Sequence, residues 1–404
     1  MKVIALLIII SLFSLVACTD APATSTTPST SLDNPTTETN TMTPTTAQET
    51  ETISAESTTT PETTSHPTAT TSPVVTTPTT PAKTTTQTTT GPYPGPLFDT
   101  HLHFDENTLL SRFGSAEGLI SFLERGNVDW AIGFYLLPAD STSSVVSSTK
   151  PIISAVGSHV IPLFHASNWS QLFASEQYTE AVLQQYLQPQ GLHWGVGEIA
   201  LYQEDLQSVT FNSPAMQTVF QAVNELKGIV MIHLSTINMG GRPTELSEIE
   251  PSIRDYSDTT FLFHGRKEDM KLVAQLMSKY SNVYFTIDAN DSIFTSKFTG
   301  YNLLFPGGAA ADTAERFLAD IDRIGAEALV QNGLDNLTTL LEAYPDRVLW
   351  GTDLSYTWHF DDAVFDTVIS LSREVIGRLP ADLQEKYAYQ NAQRVFGRFL
   401  TPKP

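Results

Sequence analysis

Short apolar runs recur along the chain from about residue 95 onward, and polar, turn-forming stretches separate them. Eight of these runs have the length of a strand, and most are continuously apolar rather than alternating. Continuous apolar runs are typical of parallel strands that are buried on both faces of a sheet. The predicted strands are Leu97–Phe104, Val128–Leu137, Val160–Ala166, Trp194–Leu201, Ile229–Ser235, Thr260–His264, Val283–Ile287 and Val348–Thr352.

Segments with apolar residues at helical spacing lie between these strands. The clearest are residues 115–127, 213–228, 267–282 and 311–333, and the stretch 380–400 predicts closing helices. The first begins at Ser115 and ends near Gly126, which are common start and stop residues of helices. Alternation of strand and helix over eight units predicts a (β/α)₈ TIM barrel for residues 93–404.

The connection between the seventh and eighth strands, residues 291–345, is unusually long. Long loops in compact domains are usually functional or mobile. At the C-terminal side of the barrel this segment would form a lid. The alternative is an insertion without a role in the site.

Within the first 18 residues, an apolar segment follows Lys2. It is too short to predict a membrane-spanning helix. This length suits a signal peptide over residues 1–17. The segment ends in Leu-Val-Ala-Cys18, which resembles a bacterial lipobox. The resemblance implies lipidation of Cys18 and an anchor to the membrane, at the cell surface or in the periplasm. Because Cys18 is the only cysteine, the chain cannot form an internal disulfide.

Residues 19–92 consist almost entirely of Thr, Ser, Pro, Ala and acidic residues. Such a segment cannot bury enough apolar surface to offset the entropy lost on ordering. Together with Cys18 it predicts a disordered linker, residues 18–92, that holds the barrel away from the membrane.

The formal net charge of −22 argues against nucleic acid as a partner, because a polyanion would be repelled. We therefore expect a small-molecule substrate. The sequence leaves the oligomeric state open.

Histidines and carboxylates stand at the ends of five predicted strands. Side chains at positions i and i+2 of a strand point the same way, so His101 and His103 form a pair. The C-terminal ends of barrel strands are where catalytic residues lie. Imidazole and carboxylate are natural ligands of zinc, manganese or iron. The candidate ligands of one or two divalent ions, with Zn²⁺ the first expectation, are His101, His103, Glu198, His233, His264 and Asp353.

The motifs DTHLH, the histidines that end strands five and six, GTD, and the tail NAQRVFGRF resemble the amidohydrolase superfamily. The similarity is to its amidohydrolase-related (type 2) and TatD-like branches. It implies a metal-dependent hydrolase in which His101, His103, His233 and Asp353 meet a metal. It also implies that Asp353 takes a proton from the metal-bound water. The same resemblance makes His264 either a ligand of a second metal or a catalytic base.

Glu198 distinguishes the two branches. Its context, GVGEIALY, is similar to a TatD-like motif in which the Glu helps to bridge two metals. Many type 2 members bind one metal without a ligand on strand four, and in that case Glu198 would pair with a neighbour such as Arg266. Strand four carries no lysine, so a carbamylated-lysine bridge is not expected.

Further polar residues near the strand ends are candidates for substrate binding. They are His165, Arg266, Asn290, Trp358 and His359. Asp288, which ends the seventh strand near Asn290, could contact substrate as well. The alternatives are a core histidine for His165, an ion pair with Glu198 for Arg266, and turn formation for Asn290 and Asp288.

The chemistry implied is hydrolysis of an ester, lactone, amide or phosphoester by metal-activated water. A non-oxidative decarboxylase is the first alternative, since type 2 relatives include such enzymes, and Arg266 would bind the carboxylate. The acidic charge disfavours a TatD-like nuclease. A non-catalytic solute- or metal-binding lipoprotein is the alternative from another class, and the complete ligand set argues against it.

Overall fold

The fold is that of a computed structural model, which describes residues 91–137, 144–201, 206, 208–235, 243–307 and 313–400. The predicted signal peptide, the lipidated Cys18 and nearly all of the predicted linker lie outside the described residues.

Eight parallel strands follow one another around a single sheet in the order of the sequence. The first and eighth strands meet through a bridge between Leu102 and Leu354, and the Asp353 N–H donates to the His101 carbonyl over 2.9 Å. The result is the nearly closed TIM barrel that the strand–helix alternation predicts. The strands are β1 (Leu97–Phe104), β2 (Val128–Leu137), β3 (Val160–Ala166), β4 (Gly195–Ile199), β5 (Ile229–His233), β6 (Thr260–His264), β7 (Val283–Asp288) and β8 (Val348–Gly351).

Helices alternate with the strands and cover the outside of the barrel. They are α1 (Ala116–Arg125), α2 (Ser144–Ala155), α3 (Trp169–Leu172), α4 (Glu176–Tyr186), α5 (Pro214–Leu226), α6 (Leu246–Asp255), α7 (Met270–Lys279), α8 (Ala289–Ser292), α9 (Ala314–Ile324), α10 (Ala326–Ala343), α11 (Asp362–Gly377), α12 (Ala381–Glu385) and α13 (Asn391–Phe396). The Ser115 side chain accepts from the Gly118 N–H, and Pro214 opens α5, as helix N-termini favour.

The predicted single helix over residues 311–333 is two helices in the structure. Gly325 has φ +87°, a conformation that only glycine adopts without strain, and it separates α9 from α10. The connection between β7 and β8 therefore contains three helices, where the sequence predicted one. Its first part is held down, since the Asn332 side chain donates to the Ser292 and Ile293 carbonyls.

The N-terminal end of the barrel is closed by the last helix and the turn after it. Phe396 and Phe399 pack with inward-facing strand residues such as Phe98 and Leu349. Asn391 donates to the Pro345 and Val348 carbonyls at the start of β8. The NAQRVFGRF tail is thus a plug for the bottom of the barrel.

None of the helices that the structure describes has the length and apolar character needed to cross a membrane.

Candidate metal centre

The side chains that point into the barrel change character at its C-terminal mouth. Ile229 and Met231 of β5 are inside the barrel, so the strand's alternation also places His233 inside. The same alternation places His264 above Leu262 on β6. The upper ends of most strands therefore contribute an ionisable side chain to one space.

One half of this space is formed by β1 and by Asp353, the second residue after β8. The Nε2 atoms of His101 and His103 lie 2.8 Å apart. Oδ1 of Asp353 lies 3.4 Å from the first of these nitrogens and 3.5 Å from the second. Two imidazole nitrogens and a carboxylate oxygen thus converge on one point.

The other half comes from β5 and β6. Nδ1 of His233 lies 2.6 Å from Oε1 of Glu198, and Nε2 of His264 contacts the same oxygen. The second carboxylate oxygen of Glu198, Oε2, faces the first half, at 3.4 Å from His103 and 3.8 Å from His101. Glu198 therefore lies between the two halves and presents one oxygen to each.

Asp288, at the end of β7, lies behind two of the histidines. Its Oδ2 is 3.2 Å from Nδ1 of His101 and 3.4 Å from Nδ1 of His264, and its side chain is fully buried. Its Oδ1 accepts from the Asp291 N–H. A carboxylate behind an imidazole fixes the ring's orientation and directs its other nitrogen forward.

Asp353 is held by its backbone and by a neighbour. It has φ +60°, which is uncommon for a residue with a side chain and costs conformational energy. The Asn290 amide donates to Oδ2 of Asp353 over 2.8 Å, which leaves Oδ1 directed at the histidines. Asn290, predicted to contact substrate, lies within hydrogen-bond distance of a candidate ligand.

Protons are unevenly distributed in the cluster. Burial opposes ionisation of Glu198, but His264 and His233 hold its pKa well below the usual range. Burial raises the pKa of Asp353 well above its usual range. Burial also opposes a charge on His101, yet Asp353 and its other acidic neighbours raise the pKa of His101 to about 10. A cation entering the cluster would therefore displace a proton from His101.

The residues present fit a divalent metal. Three overlapping groups of histidines and carboxylates each bring their ligand atoms within 4.8 Å of one another, and together they contain all six predicted ligands and Asp288. Three largely buried carboxylates in one space are costly without a compensating cation. Nitrogen and carboxylate oxygen donors suit zinc and related metals.

Two further predicted substrate-binding residues, His165 and Arg266, lie at or just after the ends of β3 and β6. Nδ1 of His165, on β3, accepts from the Glu198 N–H over 2.9 Å. Burial lowers the pKa of His165 to about 4, so its ring is neutral. Arg266 follows β6, and the ion pair with Glu198 that the sequence allowed is not formed, since Glu198 contacts histidines instead.

Trp358 and His359 lie farther along the loop after β8. Within the described part of the chain, no hydrogen bond or ring contact joins either residue to the cluster. Nδ1 of His359 accepts from the N–H groups of Ser355 and Tyr356, and its Nε2 donates to the Leu304 carbonyl. His359 thus ties two loops together, and Trp358 packs against its ring.

Two carboxylates, Asp288 and Asp99, have roles beside the cluster that the sequence did not predict. Asp288 was expected at the substrate or in a turn, and the alternation of β7 would have placed it inside the barrel. Asp99 of the DTHLH motif accepts from the backbone N–H groups of His101 and Thr352 and from the Thr352 hydroxyl. It joins β1 to β8 directly beneath the cluster, and burial raises its pKa to about 7.

The chain is a TIM barrel with a buried cluster of histidines and carboxylates at its mouth, as in barrel enzymes that bind divalent metals. The family model described as Amidohydrolase matches residues 192–398, just over half of the chain. The chain belongs to the amidohydrolase family. No curated protein matches it.

Several solved structures resemble the chain at low identity. A probable 2-pyrone-4,6-dicarboxylic acid hydrolase from Acinetobacter baumannii is 13% identical, with a TM-score of 0.44 over 74% of this chain and 99% of its own. A dihydroorotase from Campylobacter jejuni is 14% identical, with a TM-score of 0.45 over 78% of this chain and 87% of its own. A 5-carboxyvanillate decarboxylase from Sphingomonas paucimobilis is 10% identical, with a TM-score of 0.39 over 76% and 99%. At these levels of identity the solved structures share the fold with the chain.

Proposed function

We propose that the protein is a metal-dependent hydrolase that cleaves an ester, lactone, amide or phosphoester bond of a small molecule at the barrel mouth. The observation that carries this proposal is the position of Glu198. Its two carboxylate oxygens face two separate sets of ligand atoms, as a bridging carboxylate in a two-metal site does.

The two sets define which residues would hold which ion. His101, His103 and Asp353 with Oε2 of Glu198 would hold one ion. His233 and His264 with Oε1 of Glu198 would hold the other. We propose Zn²⁺ for both, because nitrogen and oxygen donors dominate. Bound metal supplies a water of pKa near 7 and polarises the oxygen under attack.

Asp353 is the proposed proton carrier. Asn290 holds its Oδ2 and leaves Oδ1 directed at the histidines, and the carboxylate would accept the proton of the attacking water and later pass it to the leaving group. In the metal-free protein burial raises the pKa of Asp353, and a cation beside it lowers that pKa because positive charge favours the carboxylate.

His264 is the second proposed catalytic residue. Asp288 and Asp291 lie within 3.4 Å and 3.7 Å of its Nδ1, so Nε2 is the nitrogen that faces the cluster. If two ions bind, this nitrogen would be a ligand of the second. In a one-metal form the same nitrogen is placed to act as a base beside the first ion.

Non-oxidative decarboxylation is the second candidate function. The observation that favours it is Arg266, which follows His264 closely on the chain and has no ion-pair partner among the residues that the structure describes. A guanidinium without a carboxylate partner is suited to bind a substrate carboxylate in a bidentate way.

We also propose that residues 1–17 are a signal peptide and that lipidated Cys18 anchors the protein to a membrane. The linker 18–92 would then hold the barrel, residues 93–404, at the cell surface or in the periplasm. The sequence patterns described above support this. Mass spectrometry of the protein from a bacterial membrane fraction tests it, because an unmodified Cys18 or an uncleaved N-terminus would contradict it.

Metal analysis of the purified protein tests the proposed function. The variant is Glu198→Gln, and the matched control is Glu180→Gln, which makes the same change on the exposed surface of α4. We expect two zinc ions in the wild type and the control, at most one in Glu198→Gln, and hydrolysis only in the first two.

Other results point elsewhere. One ion in all three proteins, together with release of CO₂ from carboxylated aromatics, favours the decarboxylase. No bound metal, and no hydrolysis of a panel of esters, lactones, amides and phosphoesters after zinc addition, would leave a non-catalytic binding protein.

A further inference from the structure

His165 stands at the mouth of the barrel at the end of β3. Ile161 and Leu163 of the same strand belong to the barrel interior, so alternation also directs His165 inward. It pairs across the sheet with Leu136 of β2, whose side chain is 40% exposed although it is large and apolar. His165 and Leu136 therefore form the part of the mouth that the proposed metal ligands do not occupy.

The backbone of Glu198 fixes the proton of the His165 ring. Nδ1 of His165 accepts the Glu198 N–H over 2.9 Å, and a backbone N–H can only donate. Nδ1 therefore carries no proton. A neutral imidazole with a bare Nδ1 has its proton on Nε2, which makes Nε2 a hydrogen-bond donor.

The rest of the ring's surroundings hold it in place and leave Nε2 without a partner. The ring makes edge-to-face contacts with His103 at 5.5 Å and with Trp169 at 5.2 Å between centroids. The Gly197 carbonyl, in the same peptide group as the Glu198 N–H, also interacts with the ring, and no hydrogen bond joins Nε2 to the residues that the structure describes. The ring is thus held beside a candidate ligand, on the inward-facing side of β3.

We propose that His165 is a catalytic residue whose Nε2–H donates to the substrate oxygen that gains negative charge. The inference rests on the proposed hydrolytic function and specifies it, because the substrate must place a carbonyl or phosphoryl oxygen between the cluster and His165. The ring donates a hydrogen bond throughout and transfers no proton. Removing one such donor costs about 10²–10³-fold in kcat in other hydrolases.

A positioning role is the alternative, since His165 also holds the Glu198 backbone. Two variants separate the roles. His165→Asn can place its Oδ1 where Nδ1 was and so keep the bond to the Glu198 N–H, but it lacks the donor at Nε2. His165→Gln can place its amide nitrogen where Nε2 was and so keep the donor, but it gives up the bond to Glu198.

The first measurement uses the metal-free protein and does not depend on activity. ¹⁵N-histidine NMR, with the signal assigned by its loss in His165→Asn, reports which ring nitrogen is protonated. We expect a protonated Nε2 and a bare Nδ1. A protonated Nδ1 would overturn the inference, whatever the metal content of the protein.

The second measurement is calorimetric binding of inorganic phosphate, an oxyanion probe, to the zinc-loaded proteins at equal zinc content. We expect His165→Asn to weaken binding by about tenfold or more and His165→Gln by less, because one hydrogen bond to a charged group is lost only in the first. The reverse order, equal affinities, or no phosphate binding to the wild type would overturn the inference. A protein that takes up no zinc would instead contradict the proposed function, and the NMR result would then decide the inference alone.

Discussion

The two ends of the barrel are built from the same eight strands, yet their inward-facing side chains differ in kind. At the N-terminal end, Phe98, Leu349 and Phe396 fill the space with apolar groups. At the C-terminal end the corresponding positions are histidines and carboxylates, and Asp353 is tied to its neighbour by a polar contact. The change happens within one or two steps of the strand's alternation, for example from Met231 to His233.

The difference shows how the fold supports a costly site. Buried carboxylates and imidazoles destabilise a protein unless a cation compensates them. The apolar plug at the bottom supplies stability that does not depend on a metal. We therefore expect substitutions at the mouth to affect chemistry and metal binding, and substitutions at the bottom to affect the free energy of unfolding.

The largest effect is expected for Asp353→Asn. The amide cannot accept the proton of the attacking water and is a weak ligand, so kcat should fall by about 10³-fold or more. Thermal stability of the metal-free protein should change little or rise, because burial disfavours the carboxylate. Asp322→Asn, on the exposed side of α9, is the matched control. Activity within tenfold of the wild type would mean that another group carries the proton.

Phe396→Ala tests the bottom of the barrel. Truncating this fully buried ring should lower the free energy of unfolding by about 3–5 kcal/mol, measured by urea denaturation. Zinc content at saturating metal should stay that of the wild type. Gln393→Ala, an exposed position on the same helix, should cost less than about 0.5 kcal/mol. If a folded Phe396→Ala variant lost metal binding, metal binding at the mouth would depend on packing at the bottom of the barrel.

Asp288→Asn tests whether the carboxylate behind the histidines orients them. An amide has one acceptor oxygen and no charge, so it cannot both face the Nδ1 atoms of His101 and His264 and accept from the Asp291 N–H as the carboxylate does. Zinc affinity, measured by competition with a chelator, should fall by about 10–100-fold. Asp291→Asn removes a carboxylate that lies near His264 at 3.7 Å, and its effect should be smaller. Unchanged zinc affinity in Asp288→Asn would show that Asp288 stabilises the fold and does not orient the histidines.

His359→Asn tests whether a buried histidine near the mouth has a structural role. Burial lowers the pKa of His359 to about 3, whereas an unfolded histidine titrates near 6.5. Below about pH 6.5 the unfolded chain therefore binds a proton that the folded chain excludes, and stability falls as the pH falls toward 3. The contribution is about 1.4 kcal/mol per pH unit for one histidine.

The measurement is urea denaturation from pH 8 to pH 4. As the pH falls below 6.5, the free energy of unfolding of His359→Asn should decline less steeply than that of the wild type, by about 1.4 kcal/mol per pH unit. Above pH 7 the wild type and the variant should show the same dependence on pH. Equal slopes between pH 6 and pH 4 would show that His359 takes up a proton in the folded protein.

Much of the fold could be predicted because strand patterns are local. The bounds of β1, β2, β3 and β6 are those that the apolar runs predict. The prediction failed where one residue overrides the pattern, since Gly325 divides a continuous helical period into two helices. In the connection after β7 the sequence predicted one helix, whereas the structure has α8, α9 and α10.

The sequence by itself determined which residues stand at the strand ends. Alternation along a strand is a local property, and it directs His233 and His264 inward before any packing is known. His101 faces inward because the register of β1 shifts between Asp99 and Leu102, which the pattern does not show. Only the tertiary structure decided what each side chain meets there. Glu198 is 35 residues from His233 and 66 from His264, so its contacts depend on how the strands close around the barrel. The same closure places Asp288 behind two histidines and brings Nδ1 of His165 to the Glu198 N–H.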